Sequence, residues 1–118
     1  MDHPSRNRRR LERLDQRHRA LAAELTKIGY VLQGSLADRW MRCGKQACQC
    51  TTDPDARHGP YHVWTYKRAG NSVCVYLDDR QAALCAQWIA NNRRLEQIIR
   101  KMRDLSQRIA VLREIPVK

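Results

Sequence analysis

Cys43-Gly44-Lys45-Gln46-Ala47-Cys48-Gln49-Cys50, followed by His58-Gly59-Pro60-Tyr61, is the stretch around which this chain is organised. Three cysteines and a histidine fall within sixteen residues, in a loop-like region between two long stretches of helical periodicity. Thiolates and an imidazole are the ligand set zinc prefers, closing a tetrahedron of four protein atoms. The candidate ligands are Cys43, Cys48, Cys50 and His58, spaced C-x4-C-x-C-x7-H. Gly44 and Gly59 sit beside ligands, where a chain turning tightly around an ion needs permissive backbone angles. His62 and Cys74 compete with His58 for the fourth position. The inert alternative is a set of unpaired buried thiols with His58 as a turn residue. A redox pair is disfavoured, because Cys-x-Cys lacks the helix-start context that activates a Cys-x-x-Cys thiol.

Beyond the loop, residues 61–67 and 72–77 alternate as strands, with Ala69-Gly70-Asn71 as the turn. Alternation sets Tyr61, Val63 and Thr65 against His62, Trp64 and Tyr66, and Val73, Val75 and Leu77 against Cys74 and Tyr76. The expectation is a two-stranded hairpin with an aliphatic buried face. Its aromatic face packs on a helix or stacks on bases. Trp40 and Met41 are expected to pack the metal loop against a helix. A two-stranded hairpin is marginal alone, so the metal and a helix must support it.

Helical patterns flank this centre. Leu11, Leu14, His18, Leu21, Leu25, Ile28 and Leu32 step by threes and fours, predicting a helix over 7–33 that stops at Gly34. The second runs over 78–115, opened by Asp78 and Gln81 at capping-box spacing and stopped by Pro116. Trp88, Asn92, Leu95, Ile99 and Met102 form one seam; Ile98, Met102, Leu105, Ile109 and Leu112 form another. Cys85 lies inside this helix as a small core residue. The predicted architecture is mostly α within the α+β class. An antiparallel helical hairpin or coiled coil would be closed at one end by a zinc-stapled two-stranded β-hairpin. Residues 1–118 form a single domain: a loose N-terminus over 1–6, the first helix, the zinc loop and hairpin over 34–77, and the second helix.

Charge is the strongest compositional feature, with 23 Lys+Arg against 12 Asp+Glu and a formal net charge of +11. Such an excess favours polyanions, above all nucleic acid, through phosphate contacts and counterion release. Candidate contacts at the start of the first helix are Arg8, Arg9, Arg10 and Arg13; Arg93, Arg94, Arg100 and Lys101 lie along the second. A second basic set, Arg39, Arg42, Lys45, Arg57, Lys67 and Arg68, is expected to surround the zinc loop. No apolar run approaches the ~20 residues of a membrane span. The N-terminus lacks the apolar core of a signal peptide. Five cysteines, an odd number with three of them clustered and no disulfide-framework spacing, point to a reducing compartment with metal-bound thiolates. The expected location is therefore cytoplasmic, with no membrane partner.

The Cys43-Gly44-Lys45-x2-Cys48-x-Cys50 … His58-Gly59-Pro60-Tyr61 string, with its hairpin and following basic helix, resembles a small uncharacterised bacterial and archaeal domain family. Members are often met near transposases, recombinases and other mobile-element genes. The resemblance covers roughly residues 34–92. It implies a zinc site at the four named residues and a DNA-related context, without supplying a reaction. This chain departs from it at Gln46-Ala47, where members usually carry Pro-Gly, and at His62, where they carry an aromatic.

Catalysis finds no support: four protein ligands leave zinc no open position for water, and no paired carboxylates, phosphate-binding glycine loop or nucleophile elbow appear. The expected function is a zinc-stabilised DNA-binding accessory protein, not an enzyme, acting beside a recombinase or transposase. DNA is favoured over RNA as its partner, and a homo-oligomer forms through the seams. The alternative is a coiled-coil adaptor that dimerises and docks on a protein partner without touching nucleic acid.

Overall fold

The computed structural model describes residues 4–117. In chain order the elements are α1 (Pro4–Leu25), β1 (Ser35–Met41), two 3-10 turns (Gln49–Thr51 and Pro54–Ala56), β2 (His58–Arg68), β3 (Asn71–Leu77) and α2 (Asp79–Leu112). The class is α+β. The chain divides into two compact units, one holding α1 through Tyr30 and everything from Asn91 onward, the other Val31–Ala90. Of the N-terminus expected to be loose, residues 1–3 lie outside the described residues, and the chain is helical from Pro4.

In the Val31–Ala90 unit, the sheet has three antiparallel strands in the order β1-β2-β3, not the two of the expected hairpin. The strand missing from the sequence analysis is β1. Its Ser-Leu-Ala-Asp-Arg-Trp-Met carries no alternating apolar pattern, and only Leu36 and Met41 along it are half-buried. Backbone pairing with β2, from Ser35 opposite Thr65 to Met41 opposite His58, makes it a strand. Gly34 opens that pairing: at φ 115 a Cβ there would collide with the Thr65 carbonyl oxygen and lie 2.7 Å from Trp64 Nε1. Only glycine fits so close an approach. The Trp64 indole N–H donates to the Gln33 carbonyl at 2.9 Å, pinning the chain just before the strand.

Between β2 and β3 the turn is Ala69-Gly70, both at positive φ (51 and 84), with Arg68 paired to Asn71. Two such residues match the twist of the flanking strands. The register pairs His62 with Leu77, Trp64 with Val75 and Tyr66 with Val73. The aromatic positions of β2 therefore share a face with the aliphatic positions of β3, which corrects the expected split into one aliphatic and one aromatic face. Trp64 and Leu77 on that face border Leu84, Cys85 and Trp88 of α2, and Trp64 stacks on Tyr66 with ring centroids 4.2 Å apart. Ala82, Cys85 and Ile89 are buried, at the threes and fours that line one helix face. Burial pushes the Cys85 thiol up from its ordinary value, in keeping with a core residue.

The opening of α2 carries a reciprocal cap. The Asp78 amide donates to Gln81 Oε1 at 3.0 Å and the Gln81 amide to Asp78 Oδ1 at 2.7 Å, satisfying donors that a helix start leaves orphaned.

In the other unit, α1 stops at Leu25, well before the expected 33. The Thr26 hydroxyl donates to the Ala23 carbonyl at 2.8 Å. Amides 26, 27 and 28 bond three residues back, to 23, 24 and 25, tightening the last turn. Asn91 Nδ2 then captures the Tyr30 carbonyl at 2.9 Å. Ile28 and Leu32 are thus half-buried without being helical. At the far end α2 closes at Leu112 instead of 115. The Ile115 amide reaches back to the Ala110 carbonyl (2.9 Å) and the Glu114 amide to Val111 (3.1 Å), with Glu114 at φ 64. That is the Schellman arrangement, here with a residue other than glycine in the left-handed position. Leu14 borders Leu112 and Leu21 borders Leu105, so α1 and this part of α2 run in opposite directions. Ile98 and Leu105 are the buried residues of their seam.

Candidate metal centre

Each of the four expected ligands arrives on a different local device. Cys43 follows the end of β1; Cys48 closes a turn in which its amide bonds the Lys45 carbonyl at 3.2 Å. Cys50 sits in the first 3-10 turn and is 1% exposed. His58 is the first residue of β2, opposite Met41 across a register irregularity between Arg39 and Met41. Gly44 and Gly59 flank the outer ligands at φ 85 and 151, and a Cβ on Gly59 would lie 2.6 Å from the Arg39 carbonyl oxygen. The Asp53 side chain accepts from the Asp55 amide at 3.0 Å, organising the excursion between Cys50 and His58.

The donor atoms of Cys43, Cys48, Cys50 and His58 all lie within 4.8 Å of one another. Cys50 Sγ is 3.5 Å from Cys43 Sγ, and Cys48 Sγ is 3.2 Å from His58 Nε2. A tetrahedral zinc site with ordinary bond lengths has donor–donor edges of about 3.5–3.8 Å. The four are close enough to hold a metal ion, and a three-sulfur, one-nitrogen donor set is compatible with zinc. The Cys43 amide donates to Cys50 Sγ at 3.3 Å, a contact that orients the sulfur and stabilises its charge.

The thiols differ in acidity. Cys48 is held below its ordinary value by a backbone hydrogen bond from Cys50 and by side-chain hydrogen bonds with Cys50 and Cys43. The Cys43 backbone hydrogen bond pulls Cys50 the same way, but burial and the adjacent Cys48 and Cys43 side chains outweigh it and push Cys50 up.

The rival ligands are placed elsewhere. His62 Nδ1 lies 2.6 Å from Asp38 Oδ1 and its Nε2 2.7 Å from Asp79 Oδ1, so both ring nitrogens are engaged. Hydrogen bonds donated to the Asp38 and Asp79 carboxylates raise its pKa. Cys74 on β3 faces the Thr65 hydroxyl at 3.5 Å. Trp40, expected to pack the loop against a helix, is 53% exposed instead; it leans over Gly59, where a Cβ would touch its ring at 3.0 Å.

The basic residues fall into separate groups. Arg10 and Arg13 of α1 line one groove with Arg17 and with Arg108 of α2, over a floor of Leu14, Val111 and Leu112. Arg100 and Lys101 line a second groove with Arg17, Leu21 and Asp104. Arg8 and Arg9 are exposed on α1, as are Arg93 and Arg94 on α2, with Arg94 3.8 Å from Glu24. Arg17 and Arg108 were not among the expected contacts. The signal for Arg17 was present, since 10, 13 and 17 step by three and four onto one helix face.

Arg39, Arg42, Lys45 and Arg57 do flank the metal loop in sequence and register. Lys67 and Arg68 do not surround it: Arg68 lies ten positions along β2 from His58, about 33 Å of extended chain. They sit at the β2–β3 turn.

The chain belongs to the family described as Domain of unknown function (DUF6788), which matches residues 9–85. That match takes in most of α1, the sheet, all four donor residues and the opening of α2. It reaches further toward the N-terminus than the expected 34–92 and stops earlier. No curated protein matches the chain, and no solved structure matches it. Among the described residues, no helix is long and apolar enough to cross a membrane.

Proposed function

We propose that this protein is a zinc-stabilised DNA-binding accessory protein of the cytoplasm, acting beside a recombinase or transposase rather than catalysing a reaction itself. The observation that carries this reading is the groove in which Arg10, Arg13 and Arg17 of α1 meet Arg108 of α2. Guanidinium groups gathered along one groove suit a run of phosphates, each neutralised contact releasing counterions. The net charge of +11 supplies the long-range attraction. The resemblance of the cysteine–histidine string to a family met near mobile-element genes supports the partner class.

Cys43, Cys48, Cys50 and His58 would hold Zn2+, which when bound supplies a cross-link and, with four protein donors, no open position for chemistry. The site's role is then to hold the β1–β2 connection in place for the sheet.

Fluorescence anisotropy of labelled duplex DNA across a salt series tests the reading. Affinity should fall steeply with salt. Arg10→Gln/Arg13→Gln/Arg17→Gln together should lower the slope of log affinity against log salt by about 2.7, at ~0.9 per lost phosphate contact. Absence of binding at low salt would favour the adaptor alternative. That alternative has its own observation: Val111 and Ile115 are 58% and 56% exposed and Val117 39%, an apolar end suited to a second copy or a protein partner.

A further inference from the structure

The two faces of the sheet differ in what covers them. Leu36, Trp64, Tyr66, Val73, Val75 and Leu77 share the face that α2 packs against through Trp64 and Leu77. The opposite face carries Arg39 across from Tyr61 and Val63 across from Tyr76. Tyr61 and Tyr76 are 40% and 55% exposed, while Val63 is 1% exposed. The rings meet edge to face, with centroids 6.3 Å apart and planes at 87°, and the Tyr76 hydroxyl reaches Met41 Sδ at 3.7 Å. They are held by each other and by β1, yet keep open surface. Exposed Trp40 lies one residue from the Met41–His58 pair, at the same end of the strands.

Three arginines lie at the Tyr61 end of this face. Arg39 is directly opposite Tyr61, and Arg42 and Arg57 are the residues next beyond the Met41–His58 pair. Among the described residues, none of these three arginines forms an ion pair. Four carboxylates at this end are hydrogen-bonded elsewhere: Asp38 and Asp79 to His62, Asp78 to the Gln81 amide of the α2 cap, and Asp53 to the Asp55 amide.

We infer that this face, Tyr61 and Tyr76 with Arg39, Arg42 and Arg57, binds single-stranded DNA by stacking unpaired bases on the two tyrosine rings. Stacking tolerates any base, because every base has a π face, and the arginines track the phosphates between them. The ring planes diverge by 87°, so neighbouring bases must splay apart to use both, which a single strand allows and a duplex does not. The inference rests on the DNA-binding reading and narrows it: duplex goes to the arginine groove, exposed bases to the sheet.

The test compares labelled oligothymidylate with duplex DNA by anisotropy, using zinc-loaded wild-type protein and the Tyr61→Leu/Tyr76→Leu variant. The double variant should lose at least about tenfold in single-strand affinity and keep duplex affinity within about twofold. Metal content and far-UV circular dichroism establish that the variant is folded. As a measurement independent of the variant, a 5-bromodeoxyuridine oligonucleotide should photocrosslink to wild-type protein at Tyr61 or Tyr76, mapped by mass spectrometry. Unchanged single-strand affinity in a folded variant, or crosslinks confined to the helices, would overturn the inference while leaving duplex binding standing. A wild-type protein that binds neither form would overturn both.

Discussion

Ile98 and Leu105, at 4% and 3% exposure, are buried in a unit whose elements are helices; Cys50 and Val63, at 1%, are buried in a unit of sheet, loop and the opening of α2. The helical unit is held by side chains repeating at threes and fours, with arginines along the rims of its grooves. The sheet unit is held by constraints between residues far apart in the chain: a strand register, a glycine against a carbonyl, and four donor atoms brought within 4.8 Å. Aliphatic contact is forgiving of a single change in a way that a four-point closure is not. The two units should therefore fail differently.

The largest contrast should come from the metal centre. Zinc-loaded protein is expected to hold one ion per chain by elemental analysis. Cys50→Ser should lose that ion together with the cooperative near-ultraviolet transition of the tyrosines and tryptophans, because a site that forms only on folding contributes its binding energy to stability. A strong chelator acting on wild-type protein should reproduce the effect. Far-ultraviolet helical signal should largely survive both. Equal loss of the two signals would show that the units unfold as one and would dissolve the distinction.

A smaller effect is expected in the helical unit. Leu105→Ala should cost about 2–5 kcal/mol in denaturant unfolding, the usual range for an emptied leucine site, while metal content stays at one ion. If the variant releases zinc, the helical seam supports the metal loop and the contrast narrows.

The smallest effect concerns His62, which lies between two carboxylates. A neutral imidazole has one donor, so hydrogen bonds to both Asp38 and Asp79 are best satisfied by the imidazolium, and its pKa is raised. The stabilisation is fully present below the unfolded value of about 6.5 and is lost as pH rises through the raised folded value. Thermal midpoints measured with zinc in excess should decline over that window for wild type. The decline should be shallower for His62→Gln. Asp79 is 99% exposed, so solvent screens the pair and the shift should be modest. Identical profiles would remove His62 from the account of the sheet unit.

Much of the molecule is legible in the sequence. Ligand type and clustering name Cys43, Cys48, Cys50 and His58, because zinc's preference for sulfur and nitrogen is a property of the side chains themselves. The Asp78–Gln81 cap is legible for the same reason, being a contact between residues three apart. The β2–β3 turn can be seen in Ala69-Gly70. The third strand cannot: 35–41 has no alternating pattern of its own and is extended because β2 offers it hydrogen bonds. Likewise Leu32 continues the helical spacing yet lies outside the helix, since its amide bonds the Trp88 carbonyl at 3.1 Å in place of a partner four residues back.

The sequence by itself determined the chemistry of the four candidate metal ligands, the positive charge and the helical periods, all of which depend on residue type or on neighbours within a turn. Tertiary structure decided which residues share a surface. Alternation along one strand says which side chains face together, but only the pairing of Val63 with Tyr76 and Trp64 with Val75 says which face of β2 joins which face of β3. A slip of one residue would have exchanged them. That register turned Trp64 toward α2 and left Tyr61 and Tyr76 outside, and it arises from contacts between residues distant in the chain.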